Sequence, residues 1–247
     1  MQGPENPVPP SSCPKYAGGS PHRGRGAAPP SQADSLHTAL HHECLVALGA
    51  TAPDPAFCPP DTRTLLLIGP EGGARWWHRV TAAPEWSDGR ADPIDRWSRR
   101  VLNGLAGRVG GKALFPFDGP PFAPFLRWAQ ATGRMWQSPA GMLVHAEAGL
   151  WVSFRGALAL PFEMALPPLP RPCDSCAEKP CLSACPAGAL GGAGGYDVAA
   201  CHGWLDQPGG RTGCMAQGCA ARRACPASQG HARLPEQSAW HMRQFHK

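Results

Sequence analysis

Eight of the eleven cysteines lie between positions 173 and 225, in two runs that each end in Cys-Pro. The first is Cys173-x2-Cys176-x4-Cys181-x3-Cys185-Pro186, and the second is Cys201-x12-Cys214-x4-Cys219-x5-Cys225-Pro226. Thiols so spaced can close disulfides, hold zinc or hold iron–sulfur cores. Disulfides are the weakest reading. The opening Met1-Gln2-Gly3-Pro4-Glu5 has no basic stretch leading into an apolar one, so a reducing cytoplasm is expected, and the cysteine count is odd. Zinc stays open, because Cys-x2-Cys serves it equally well. The two Cys-Pro endings, however, have no role in zinc geometry and do mark iron–sulfur loops.

The first run matches the dicluster ferredoxin pattern Cys-x2-Cys-x2-Cys-x3-Cys-Pro, except for two extra residues within Ala177-Glu178-Lys179-Pro180. In that pattern the last cysteine of each run serves the other cluster. Cys173, Cys176 and Cys181 would then work with Cys225, and Cys201, Cys214 and Cys219 with Cys185. The chain's formal charge of +5 shrinks accordingly. Eight thiolates set against two cores of charge +2 would leave about +1, so the basic balance does not argue for nucleic acid.

These residues need a scaffold. Residues 1–33 hold eight prolines and five glycines with almost no branched apolar side chains, and are expected to be disordered. Asp34 or Ser35 could cap a helix carrying Leu36, Leu40, Cys44 and Leu48, ended by Gly49. Thr64–Ile68 reads as a buried strand and Arg75–Val80 as a helix. Asp92-Pro93 opens a stronger helix, with Ile94, Trp97, Val101, Leu102, Leu105 and Val109 on its apolar face. Asp95 reads as a third-position carboxylate that stabilises its start. Lys112–Phe117 is a strand candidate and Phe122–Ala131 a short helix. Met142–His145 and Leu150–Leu160, flanking Glu147-Ala148-Gly149, read as a β-hairpin. Five prolines within 161–172 mark a stiff connector.

Absences narrow the chemistry. The longest aliphatic run, Leu65-Leu66-Leu67-Ile68, is far too short for a membrane span. No Gly-x-Gly-x-x-Gly follows a strand, and Gly107–Lys112 fails the phosphate-loop spacing. His41-His42-Glu43-Cys44 are consecutive on a helix and share no face, so no metal site is expected there.

His145 through Leu158, the proline connector, the first cysteine run and Tyr196-Asp197-Val198-Ala199-Ala200-Cys201 resemble, in that order, the epoxyqueuosine reductases. That family couples a cobalamin-binding domain to two four-iron clusters and reduces a modified tRNA nucleoside. Thr64–Ile68, Asp92-Pro93-Ile94-Asp95, and Gly149-Leu150-Trp151 through Arg155-Gly156 to Leu160-Pro161 are more similar to the cobalamin-processing, cblC-type proteins. The chain departs from the reductases where they carry Gly-Arg-Asp-Tyr-His. Here Asp95 is out of register and Trp97 takes the matching place, which counts against the tRNA reaction. The resemblance implies that Arg155 lies near a cofactor pocket, and Trp97 and Trp151 are the aromatic candidates to face a corrin.

The expected fold is α+β. A mixed helix and antiparallel-sheet domain over 34–166, cblC- or nitroreductase-like, precedes a small ferredoxin-like dicluster domain over 167–230, with a tail at 231–247. The expected function is electron relay from two [4Fe-4S] clusters to a cofactor or substrate, a corrinoid first, in a cobalamin-linked oxidoreductase. A plain dicluster ferredoxin and tRNA modification are the alternatives. A redox partner protein is expected; membrane and nucleic-acid partners are not.

Overall fold

The central strand of the sheet is the most apolar segment of the chain. β2 (Thr64–Pro70) is buried along its whole length, and so is β6 (Gly156–Leu160), with which it pairs antiparallel. β1 (Leu45–Thr51) and β3 (Lys112–Leu114) complete an all-antiparallel sheet in the order β1-β2-β6-β3. In this computed structural model, residues 31–192 and 195–247 are described. Cys13 and nearly all of the expected N-terminal tail lie outside them.

Alternation along β2 and β6 explains the layers. Leu66, Ile68, Leu158 and Leu160 face one core, built with α1 (Gln32–His42), α2 (Arg75–Thr81), α3 (Pro84–Ser87) and α4 (Pro93–Arg108). Leu65, Leu67, Ala157 and Ala159 face a second core on the opposite side, with Phe125 and Trp128 of α5 (Phe125–Ala131). The sheet is therefore covered on both faces. Among the described helices none is long and apolar enough to cross a membrane.

Several sequence expectations change here. α1 is capped by Ser31, not by Asp34 or Ser35; Asp34 is its capping-box partner, accepting from the Ser31 amide. The helix stops at His42 because Cys44 turns left-handed (φ 57°), which frees Leu45–Thr51 to pair with β2. Asp92 sits at the start of α4 but makes no side-chain cap, since its own backbone is left-handed (φ 52°). The expected 142–160 hairpin does not form. The tight turn is present, as a His145–Gly149 bridge, but β5 (Leu143–His145) pairs back to β4 (Met135–Gln137), and β6 pairs into the main sheet.

The chain from Pro161 onward stays against the sheet domain. Phe162, Met164 and Leu166 pack on the first core, and Arg134 Nη1 donates to the Pro167 carbonyl at 2.8 Å. The cysteine region holds α6 (Val198–Leu205), α7 (Pro208–Gly210) running into a π turn at Arg211–Met215, and α8 (Ala220–Ala224). A 3-10 turn (Pro226–His231) leads to α9 (Pro235–Phe245). Positions 235–245, expected as part of a tail, are thus helical, and Trp240 of α9 packs at a tilt against Trp77 and Trp86. Ser31–Lys247 form one compact unit. A ferredoxin-like outline for the cysteine region does not emerge from these elements.

Candidate functional site

Two cavities sort the eight cysteines into fours. Cys173, Cys176, Cys181 and Cys225 line one, together with Pro172, Pro180 and Pro226. Cys185, Cys201, Cys214 and Cys219 line the other, a cavity of about 530 Å³. The placement follows from local structure. Cys173, Cys176 and Cys181 come from consecutive turns of the 171–185 loop, and Cys225 is brought in as the residue that ends α8. Cys201 projects from α6, Cys214 from the π turn, and Cys219 is the residue that opens α8. Cys185 and Cys225 therefore each leave their own run for the other.

The ten described cysteines are all free thiols. Burial pushes the Cys173, Cys181, Cys201 and Cys214 thiols upward, and neighbouring sulfurs of the same four push them further. Crowded thiols like these hold their protons until a cation replaces them. Among the described residues, no three His, Cys, Asp or Glu side chains converge as one metal ion would require. Four cysteines around one cavity are the ligand number of a zinc ion and of a four-iron core alike.

Three sequence candidates beyond the cysteines fare differently. Trp151 lines the larger cavity. Arg155 lines an adjoining cleft with Asp95, and the two spaces share Ser153 and His241 in their walls. Trp97 does not reach either. It is 1% exposed, edge-on to Trp76 in the first core, because the buried face of α4 points at the sheet. Trp128 is likewise a core residue, its indole donating to Asp54 at 3.0 Å.

Arg155 Nη2 donates to Ser153 Oγ at 3.1 Å, Nη1 stands 3.8 Å from Asp95, and Nε is buried without a partner. Burial raises the Asp95 carboxyl pKa, against the pull of Arg155. That makes Asp95 more than a helix-start carboxylate: it holds a proton more readily than a solvated acid and faces a cleft.

Sequence reasoning missed the C-terminal wall. Arg222, Arg233, Ser238, His241 and Phe245 all line the larger cavity. Arg222 Nη1 donates to the Leu150 carbonyl, and Arg233 Nη2 to that of Trp151 at 3.2 Å. Tyr196 donates its hydroxyl to Cys201, whose sulfur and the surrounding burial keep the phenol protonated. The signal available in the sequence was modest: Trp240 and Phe245 in a segment otherwise rich in polar residues.

Two histidines give this wall a pH signature. Burial drives His231 down to about 4 and His241 to about 2, with Arg233 adding repulsion to both. A base whose folded pKa is depressed is protonated preferentially in the unfolded chain. Stability is therefore complete above the unfolded value near 6.5 and declines as pH falls below it, toward 4 for His231 and lower for His241. Acidification to pH 5 is expected to cost about 2 kcal/mol per buried histidine as an upper figure. Urea melts at pH 7 and 5 check this. His231→Gln should remove about half of the difference, His241 supplying the rest, and an unchanged difference would remove His231 from the account.

No family model and no curated protein matches this chain. Two solved structures are similar to it. Epoxyqueuosine reductase from Bacillus subtilis shares 17% identity over 81% of this chain, with a TM-score of 0.49. A selenomethionine-labelled epoxyqueuosine reductase shares 16% over 84%, with a TM-score of 0.47. This chain spans 66% and 70% of the lengths of those two proteins.

Proposed function

We propose that residues 173–225 hold two [4Fe-4S] clusters, and that the chain is an oxidoreductase passing their electrons to a ligand in the larger cavity. One observation carries this reading: cysteines interleaved along the chain fall into two groups of four, each lining its own cavity. Such clusters supply single electrons at a potential set by charge, hydrogen bonds and exposure. Cys173, Cys176, Cys181 and Cys225 would hold the first, and Cys185, Cys201, Cys214 and Cys219 the second. The second group borders the larger cavity, so the last electron step is short.

The chain's own residues have definable tasks there. Trp151, Phe154 and Phe245 give the cavity an apolar wall that excludes water from the ligand. Tyr196 donates to Cys201 and offsets negative charge on its sulfur. Asp95 lines the adjoining cleft with its carboxyl pKa raised by burial, and Arg155 stands 3.8 Å from it. A corrinoid is the acceptor favoured by the likeness of residues 92–160 to cobalamin-handling proteins. Trp151 and Arg155 keep their places in that reading, and Trp97 loses its own. An external redox protein would supply the electrons.

Anaerobically purified protein is expected to contain about eight iron atoms and as many acid-labile sulfides per chain. Zinc without sulfide would overturn the proposal. Titration with cobalamin then separates the readings: a spectral shift followed by cobalt reduction supports the corrinoid, and reducible clusters with silent cobalt leave an electron carrier.

A further inference from the structure

Three guanidinium groups meet around the two joined cavities, and their counter-charges are unequal. Arg155 has Asp95 at 3.8 Å. Arg222 has the Cys219 sulfur beside it and the Leu150 carbonyl as an acceptor. Arg233 has no carboxylate within ion-pair distance among the described residues. Its recorded partners are the Trp151 carbonyl at 3.2 Å and the face of the Trp151 ring, 4.8 Å from Cζ. Arg233 is half-buried and lines the larger cavity.

Among the described residues no carboxylate answers Arg233; the titratable groups around it are two arginines, His241 and the four thiols of the same cavity. Burial takes the Arg233 pKa down to about 9, helped by repulsion from Arg222 of α8 and from Arg155, the residue just before β6. His241 from α9 is held neutral by burial first, and then by the same three arginines. Asp95 and Asp92 line the adjoining cleft, where Asp95 is engaged with Arg155. Among the described residues, no aspartate or glutamate lines the larger cavity. Buried charges in folded proteins are paired, and one that is not marks a place where a partner is expected from outside.

We propose that Arg233 receives an oxyanion, a phosphate or a carboxylate, carried by the ligand of the larger cavity. The guanidinium plane can offer two parallel N–H donors to such a group. Ser153 and Ser238 line the same space and add hydroxyls. The apolar wall of Trp151, Phe154 and Phe245 takes the rest of the molecule. The ligand class is thus an apolar body bearing one oxyanion. This inference stands on Arg233 having no carboxylate partner, and its test reads anion binding separately from iron content.

The test uses the full chain, purified anaerobically with whatever metal it retains, in chloride-poor buffer. Inorganic phosphate and acetate are titrated separately by calorimetry, with iron measured on the same samples. At least one anion is expected to bind saturably, and which one binds tighter identifies the oxyanion. Arg233→Gln should weaken that binding at least tenfold, whereas Arg127→Gln, at an exposed arginine paired with Asp54, should leave it unchanged. Arg233→Lys keeps the charge and should bind better than the glutamine variant. Since Arg233→Gln removes an unpaired charge, it should melt no lower than the parent protein in anion-free buffer. No saturable binding of either anion, equal affinity in Arg233→Gln, or a lower melting point for that variant would overturn the proposal. Iron-poor protein that still binds the anion would instead count only against the electron-transfer reading.

Discussion

Cys185→Ser is expected to remove the metal centre built on Cys201, Cys214 and Cys219, and to spare the one built on its own sequence neighbours. Cys185 follows Cys181 by four positions, yet it lines the other cavity. The reverse holds for Cys225, which lines the cavity of Cys173, Cys176 and Cys181. Iron should fall from about eight to about four atoms per chain in either variant. The two variants should lose different low-temperature EPR signals after reduction. Cys176→Ser should then reproduce the spectrum of Cys225→Ser, and Cys201→Ser that of Cys185→Ser. If Cys185→Ser and Cys176→Ser give the same spectrum, each run serves one centre and the swapped arrangement is wrong. Stability should follow the metal. The core around the first cavity is small, resting on Ala140, Val144, Leu150, Leu190 and Ala221 besides its cysteines, so metal affinity contributes much of the local folding free energy.

The swapped pairing could be proposed from the sequence because it depends on spacing, and the two cavity linings group the cysteines the same way. β2 and α4 were readable for a related reason. Leu65–Ile68 is a continuous apolar run, and the apolar face of α4 repeats with the helical period, so both signals are local. The failures are non-local. Leu36, Leu40, Cys44 and Leu48 have helical spacing, but a left-handed Cys44 and the waiting edge of β2 divert the chain into a strand. The turn at 146–149 was real, yet hydrogen bonding elsewhere in the sheet decided which strands it joined. Trp97 and Trp151 carry the same side chain, and only the fold determines that one faces the core and the other a cavity. The arginine wall was hidden for the same reason: Arg155 is far in sequence from Arg222 and Arg233 and meets them only when the C-terminal segment folds back.

That folding back depends on one close approach, at Gly149. Its backbone is left-handed (φ 55°), and a Cβ there would lie 2.4 Å from the Ser228 amide nitrogen and 2.6 Å from the Ala227 carbonyl carbon. Both obstacles are main chain and cannot swing aside. Beside them, the Leu150 amide donates to Ser228 Oγ at 2.9 Å, joining the β5 turn to the segment directly after Cys225. Gly149→Ala is therefore expected to cost about 3–5 kcal/mol, combining left-handed strain of about 1 kcal/mol with the displacement of two backbones. Gly141→Ala is the matched control. Gly141 is also left-handed (φ 80°), but nothing lies within 4 Å of its missing Cβ, so only the strain of about 1 kcal/mol applies. Denaturation midpoints of the two variants should differ accordingly. Iron content should separate them too: pushing Ser228 away moves Cys225, three residues earlier, from Cys173, Cys176 and Cys181, so Gly149→Ala should lose that centre first. Equal midpoints and equal iron in both variants would mean that the sheet domain and the cysteine region do not depend on this contact.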